Sequence, residues 1–412
     1  SLPNGTDPRT ERTYGQILRS SSIVGGAQAV TYLIRMVRTK AVALILGPRG
    51  IGLIGLYESA VQLVGAFSNL GIASSGVRQV AEAAGSDDDD RIARTVRVLR
   101  RACWFTGILG AALTVALSVP LSRWAFGHAD RAMGIAILGL TLLFGDISGG
   151  QMALIQGIRR IEDLARIQVL SVIAGTVISV SVYFWLGERG IVPVLLASSA
   201  ISLGLSWLFA RRIRVPETRV TLSETVWEAR RLFSLGLAFM WSGLLTAGIG
   251  LVAAALIARL FGIEANGSYQ AAWALSGVFG VFILNAMGTD FYPRLTTVAG
   301  DNGELNRLVN EQTEIGILLG LPGLVGTIAF SPLLIRIFYS AKFAAAGDLL
   351  PLFVLGIYGR IVSWPIGYIQ LAKGAARWYA ATETVFTALH LGLLYAGLHG
   401  LGLKGVAVAF AV

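Results

Sequence analysis

Long apolar stretches alternate with short polar connections along this chain. Because a helix rises ~1.5 Å per residue, roughly 20 apolar residues cross the hydrocarbon core of a bilayer. Eleven stretches approach or exceed this length, at 23–46, 51–77, 102–126, 132–156, 167–186, 191–210, 232–260, 265–292, 315–338, 349–371 and 380–398. A twelfth begins at Gly402 and is incomplete at Val412, so we expect a truncated last helix. The pattern predicts an all-α integral membrane protein.

Composition supports this class and excludes several functions. Of the 412 residues, 54% are hydrophobic and only 14% are charged. The net charge of +10 lies mostly in loops, where it sets orientation, so we do not expect nucleic acid as a partner. Cys103 is the only cysteine and the three histidines are scattered, which predicts no metal site. Phosphate-loop and HExxH patterns are also missing from the sequence, so we expect no cofactor and no enzymatic activity.

An internal repeat divides the chain into two halves. Leu46-Gly47 followed by Gly52 matches Phe261-Gly262 followed by Gly267, at a shift of 215 positions. Each half holds six spans, so a parallel repeat related by an axis along the membrane normal is expected. We therefore predict a cytoplasmic tail (1–19), an N-terminal lobe (20–210), a cytoplasmic linker (211–231) and a C-terminal lobe (232–412), with both lobes around a central cavity.

The distribution of Lys and Arg predicts the orientation. With the N-terminus in the cytoplasm, the inner segments carry 22 of these residues and the outer loops carry eight. Positively charged loops stay on the cytoplasmic side. Both lobes should therefore begin on the cytoplasmic side of the membrane.

The first span carries cations within its apolar run. Gln28, Thr31, Arg35 and Arg38 follow helical spacing on one stripe, and Lys40 comes just after them. An arginine at the bilayer centre costs at least ~2.5 kcal/mol, so it should face a cavity, a counter-charge or an anionic substrate. Two alternatives stay open: the side chains extend to the headgroups, or they pair with an intramembrane acid.

Further polar side chains lie in other spans. Arg360 is the fourth intramembrane cation and joins the candidate substrate-binding set, with Gln62 and Asn69 from the second span. Candidates for ion coupling or structural pairing are the titratable residues Glu58, Asp146, Glu383 and His390. By the repeat, Asp146 and Arg360 occupy equivalent spans, so a structural pair between them is the alternative.

One family shares these features. The segment RTKAVALILGPRGIG at 38–52, the linker QGIRRIEDLARIQVLS and the closing GLKGVAVAF resemble the O-antigen translocases, the Wzx-type lipid-linked oligosaccharide flippases. The resemblance implies the fold of the multidrug/oligosaccharidyl-lipid/polysaccharide (MOP) exporters, with two six-helix lobes around a cationic cavity. It also implies an undecaprenyl-diphosphate-linked glycan as substrate, moved from the cytoplasmic to the periplasmic leaflet of a bacterial inner membrane by alternating access. Arg35, Arg38 and Lys40 match the basic end of the family's first span.

The expected function is therefore flipping of a lipid-linked oligosaccharide, with the lipid bilayer as the protein's surroundings. A polysaccharide polymerase or another assembly protein is a further candidate partner. Two alternatives remain: a cation-coupled drug or metabolite antiporter of the same superfamily, and a membrane scaffold without transport. Cationic drugs would favour carboxylates over arginines in the cavity, whereas arginine forks suit phosphates.

Overall fold

The computed structural model describes residues 8–69, 72–86, 88–213 and 221–412. The helices are α1 (Pro8–Ser68), α2 (Ile72–Ala84), α3 (Asp89–Phe126), α4 (Ala132–Gly157), α5 (Ile161–Leu186), α6 (Ile191–Ala210), α7 (Leu222–Phe261), α8 (Ile263–Thr297), α9 (Asn302–Ala329), α10 (Ser331–Phe338), α11 (Ala344–Ala372), α12 (Ala376–Leu401) and α13 (Lys404–Ala411). Two short 3-10 turns, Gly187–Gly190 and Ala341–Phe343, complete the secondary structure, and no strand occurs in the described ranges.

Membrane-crossing character is present in both halves. Within the described residues, seven helical stretches are long and apolar enough to cross a bilayer, and one of them, Ile161–Ala210, contains both α5 and α6. The predicted all-α membrane fold is confirmed.

Three predicted boundaries were wrong. The second span was expected to run to residue 77, but α1 ends at Ser68 and a separate helix begins at Ile72. The charged segment before residue 102 was expected to be a loop, but it forms the start of α3 from Asp89, because Val96 and Leu99 bury an apolar face against α2 and α4. The ninth span was placed at 315–338, yet α9 begins at Asn302.

The last of these helices, α9, ends at Ala329, and a new helix starts with Pro332 in its first turn. Proline suits that position because its missing N–H would have no partner there. Within the predicted linker (211–231), α7 begins at Leu222 and residues 214–220 lie outside the described residues, so the linker stays a prediction.

The described residues fall into two compact units. The N-terminal unit contains 1–38, 67–116 and 136–237, and the C-terminal unit contains 39–66, 117–135 and 238–412. The second unit has a large apolar core that includes Phe343, Phe353 and Leu350. The lobe boundaries expected from the repeat stay a prediction.

Two glycines of the repeat break the helices at equivalent points. Gly47 interrupts α1 with φ 65° and ψ −169°, and Gly262 precedes α8 with φ 89° and ψ 164°. Positive φ values with extended ψ are essentially restricted to glycine. The repeat thus preserves a backbone conformation as well as a sequence pattern.

The helices that follow these breaks cross at two more repeat-related glycines. A β-carbon on Gly52 would overlap the carbonyl oxygen of Ile263, and one on Gly267 would overlap the carbonyl oxygen of Pro48. Pro48 and Ile263 are themselves 215 positions apart, so the contact is reciprocal. The buried Asn266 fastens it, because its Nδ2 donates to the carbonyl oxygen of Gly52 at 2.8 Å.

We expect Gly267→Ala to lower the thermal stability of the purified protein. The added methyl group has no room against the Pro48 carbonyl, and overpacking of this kind costs about 1–3 kcal/mol. Gly277→Ala on the same helix is the control, because a β-carbon there meets no atom within 4 Å. Equal melting temperatures for the two variants in detergent would contradict the crossing.

Candidate functional site

Arg38 is a half-buried cation of the first span and belongs to the N-terminal unit. It lies on α1, and its guanidinium approaches α5 at a position without a side chain: Arg38 Nη1 lies 4.0 Å from the point that a β-carbon on Gly175 would occupy. Ser198 Oγ of α6 is 3.8 Å from the same point. Three helices therefore bring together a fixed positive charge, a hydroxyl group and a glycine that leaves space beside the backbone.

Several hydroxyl groups near these helices have no hydrogen-bond partner. The side-chain oxygens of Thr31, Ser171 and Ser198 are buried and unpaired in the part of the chain that the structure describes. Ser171 precedes Gly175 by one turn on α5, and Thr31 precedes Arg38 by two turns on α1. Because an unpaired buried polar group costs free energy, such groups suit a site that a polar ligand completes.

The other members of the first-span set differ in their surroundings. Gln28 and Arg35 are exposed. Lys40 belongs to the C-terminal unit, where its Nζ donates to the carbonyl oxygen of Arg336 at 2.7 Å. That bond ties α1 to α10 and identifies an anchoring contact for Lys40, while its predicted role in substrate binding stays a prediction.

The candidates from the second span lie in different units. Asn69 Nδ2 donates to Asp146 Oδ1 at 3.3 Å within the N-terminal unit. Asp146 Oδ2 is buried and has no hydrogen-bond partner among the described residues. Glu58 and Gln62 lie in the C-terminal unit and are exposed. The structure thus joins Asn69 to Asp146 and leaves the roles predicted for Glu58 and Gln62 as predictions.

A second polar cluster occurs in the C-terminal unit, between α7 and α12. Ser242 Oγ donates to Glu383 Oε2 at 3.3 Å, and Trp241 Nε1 donates to Thr384 Oγ1 at 3.0 Å. Tyr379 lies one turn before Glu383. Its hydroxyl interacts with the side chains of Ser242 and Glu383 and with the charge of Arg360. Arg360 and Glu383 therefore belong to one neighbourhood.

His390 has a different environment from Glu383, although both were candidates for ion coupling or structural pairing. Its ring packs against Phe410 of α13, with 6.1 Å between the ring centroids. The ion-coupling role predicted for these two residues stays a prediction.

Four of the residues in these contacts were not predicted from the sequence. Gly175, Ser242 and Tyr379 are common residues in apolar helices, and nothing in their spacing marks them. Ser198, Ser202 and Ser206 do follow one face of α6 at intervals of four, and this stripe is the available signal. Ser202 and Ser206 are hydrogen-bonded to Ser148 and Gln151 of α4.

The chemistry available to these groups is binding rather than bond cleavage. Guanidinium and hydroxyl groups donate hydrogen bonds to anionic oxygens, and arginine does so in a two-pronged geometry that suits phosphates. The arrangement defines a polyhelical membrane protein with a cationic polar site inside its N-terminal unit.

Comparison with solved structures establishes the fold. An inward-facing multidrug-resistance MATE transporter of the MOP superfamily superposes with a TM-score of 0.78 at 14% identity, covering 93% of this chain and 90% of that chain. A MOP-superfamily transporter from Pyrococcus furiosus, described as having a binding pocket of reversed polarity, gives a TM-score of 0.60 at 17% identity, covering 95% and 92%. The protein is thus a multi-pass membrane protein with the MOP transporter fold.

Sequence comparison gives the family. The model of a family described as "Polysaccharide biosynthesis protein" matches residues 41–347, and the chain belongs to that family. The Lipid III flippase of Escherichia coli K12 is 22% identical over 364 residues, covering 85% of this chain and 84% of the relative. The Lipid III flippase of Shigella flexneri matches equally well. The resemblance drawn from the sequence is confirmed at the level of this polysaccharide biosynthesis family and of the MOP transporter fold.

We expect Asn69→Ala to destabilise the N-terminal unit. Removing the amide leaves the Asp146 carboxyl without its Asn69 hydrogen bond in an apolar surrounding, at a cost of about 1–3 kcal/mol. Apparent melting temperature in detergent measures the effect, with the exposed Asn310→Ala as control. The double variant Asn69→Leu/Asp146→Leu should recover much of the loss, because neither polar group then remains unpaired.

Proposed function

We propose that this protein is a flippase for a polyprenyl-diphosphate-linked oligosaccharide. Its Arg38 binds the diphosphate within the membrane, and Arg35 and Arg360 supply further positive charge along the path. The glycan occupies an aqueous cavity while the polyprenyl tail stays in lipid. Movement runs from the cytoplasmic to the periplasmic leaflet by alternating access, with an undecaprenyl carrier as the expected lipid and an O-antigen or related surface polysaccharide unit as the glycan.

The surroundings of Arg38 carry this proposal. A guanidinium enclosed by helices needs an anionic partner to offset its desolvation. Gly175 leaves room beside it, and the unpaired hydroxyl of Ser198 offers a second donor. A diphosphate supplies several acceptor oxygens and the negative charge that this set lacks.

Family membership and the curated relatives support the same function. The matching family model is described by polysaccharide biosynthesis, and the curated relatives are named Lipid III flippases. Those names point to a lipid-linked saccharide. An inside-negative membrane potential would also favour outward movement of an anion, by ~2.3 kcal/mol per charge per 100 mV.

Reconstituted transport tests the proposal. Purified protein in liposomes should flip a fluorescent undecaprenyl-diphosphate oligosaccharide, and Arg38→Gln should lower the initial rate about tenfold or more, since a charge-assisted hydrogen bond is worth ~1.5–3 kcal/mol. Arg38→Lys should fall between the two, because it keeps the charge and loses the fork.

Arg94→Gln is the matched control, an exposed arginine near the start of α3. Equal amounts of folded protein in each liposome preparation are verified by size-exclusion chromatography before reconstitution. Absence of flipping by the unmodified protein would refute the function. Full flipping by Arg38→Gln would refute the role of Arg38 and leave the function in place.

Cation-coupled antiport is the second candidate, and Asp146 favours it. A buried carboxyl with one unpaired oxygen is suited to take up a proton or a cation. Under this hypothesis liposomes with an imposed proton or sodium gradient would expel a cationic dye, and Asp146→Asn would abolish the expulsion. Dye efflux without flipping would select this function over the first.

A further inference from the structure

A lateral groove in the N-terminal unit lies apart from the polar groups described above. It is formed by α3, α4 and α6 and has a volume of about 830 Å³. Its walls are mainly apolar and aromatic, and they include Leu143, Ile147, Leu203 and Trp207. Neither Arg38 nor Asp146 lines it.

The dimensions of this groove match one leaflet of a bilayer. Along α6 its lining runs from Ala200 to Arg211, just past the helix end, and these eleven steps of ~1.5 Å extend ~16 Å along the helix axis. A bilayer core is ~30 Å thick, so the groove covers about half of it. On α4 the lining positions from Leu143 to Gln151 follow one helical face alongside.

The two ends of the groove differ in charge. Arg100 of α3 and Arg211 at the end of α6 both line one end. Among the described residues neither forms an ion pair or a hydrogen bond through its side chain. The Arg211 guanidinium lies over the Trp207 ring, 5.0 Å from its centroid, which holds the charge at the mouth of the groove.

Tryptophans mark the same end as a membrane interface. Trp104 of α3 and Trp207 both line the groove and are each 52% exposed. Tryptophan side chains concentrate at the level of lipid headgroups. This end of α3 and α6 is the one that the charge distribution predicts to be cytoplasmic.

We propose that this groove binds an anionic glycerophospholipid of the cytoplasmic leaflet. The phosphate contacts Arg100 and Arg211, and an acyl chain lies along α4 and α6. Two unpaired cations at an aromatic interface supply the headgroup site, and an apolar channel of one leaflet's depth supplies the chain site. The site is independent of the flippase activity proposed above.

Gly204 is a position at which a mutation can block the acyl-chain site. It lines the groove, and a β-carbon built on it meets no atom within 4 Å. A leucine at this position would therefore enter the groove without disturbing the helix packing.

Lipid binding by the purified full chain tests the proposal. After delipidation in detergent, phosphatidylglycerol should raise the melting temperature and remain bound in native mass spectrometry, whereas phosphatidylcholine should do neither. Arg100→Gln/Arg211→Gln should weaken phosphatidylglycerol binding about tenfold or more. Gly204→Leu should weaken it comparably while both arginines are intact.

Matched variants distinguish binding in the groove from a non-specific electrostatic attraction between the lipid and the protein. Arg94→Gln/Arg212→Gln removes the same charge from the same two helical regions at positions outside the groove, and Gly145→Leu adds the same side chain at an exposed position outside it. Both should bind phosphatidylglycerol as the unmodified protein does.

Equal losses in the two double variants would overturn the proposal, as would equal binding of phosphatidylcholine. Unchanged binding by Gly204→Leu would refute the acyl-chain site. If polyprenyl phosphate displaces phosphatidylglycerol at a lower concentration, the groove binds an isoprenoid chain. If a second protein co-purifies with the unmodified chain and is lost only in Gly204→Leu, the groove binds a helix of that protein. Either result would refute the phospholipid.

Discussion

Backbone touches backbone where the helices after Gly47 and Gly262 cross in the C-terminal unit, and this contact sets how closely the two helices approach. Gly52 faces the Ile263 carbonyl and Gly267 faces the Pro48 carbonyl, so neither position has space for a side chain. The positive φ angles of Gly47 and Gly262 direct both helices into the crossing. In a bilayer, where lipid competes for apolar surface, such close approach is a main source of helix association.

The N-terminal unit holds polar groups at depths where lipid would exclude them. Arg38 approaches α5 at Gly175, which offers space instead of a competing side chain, and Ser198 lies beside that space. Asp146 receives one hydrogen bond from Asn69 and keeps its second oxygen unpaired. These are the features of a site in which a ligand completes the hydrogen bonding, and they suit a family described by polysaccharide biosynthesis.

The two arginine environments differ in what they can select. Arg38 is enclosed by helices and has hydroxyl groups nearby, so it suits a headgroup that leaves the interface and enters the protein. Arg100 and Arg211 lie at the mouth of an apolar groove between tryptophans, so they suit a lipid that stays in its leaflet. The same guanidinium chemistry is thus proposed for transport in one place and for lipid binding in the other.

The sequence by itself determined the helical membrane fold, most span positions, the breaks at Gly47 and Gly262, and the candidate cations, because hydropathy and glycine chemistry are local properties. It misjudged the ends of the second and ninth spans and the start of α3, where amphipathic helices extend beyond the apolar run. Only the tertiary structure decided which side chains meet: Lys40 bonds to Arg336 across 296 positions, and Arg38 lies near Gly175 and Ser198. Hydropathy reports how deep a residue lies in the bilayer but not which neighbour it faces, and that direction is set by packing between distant helices.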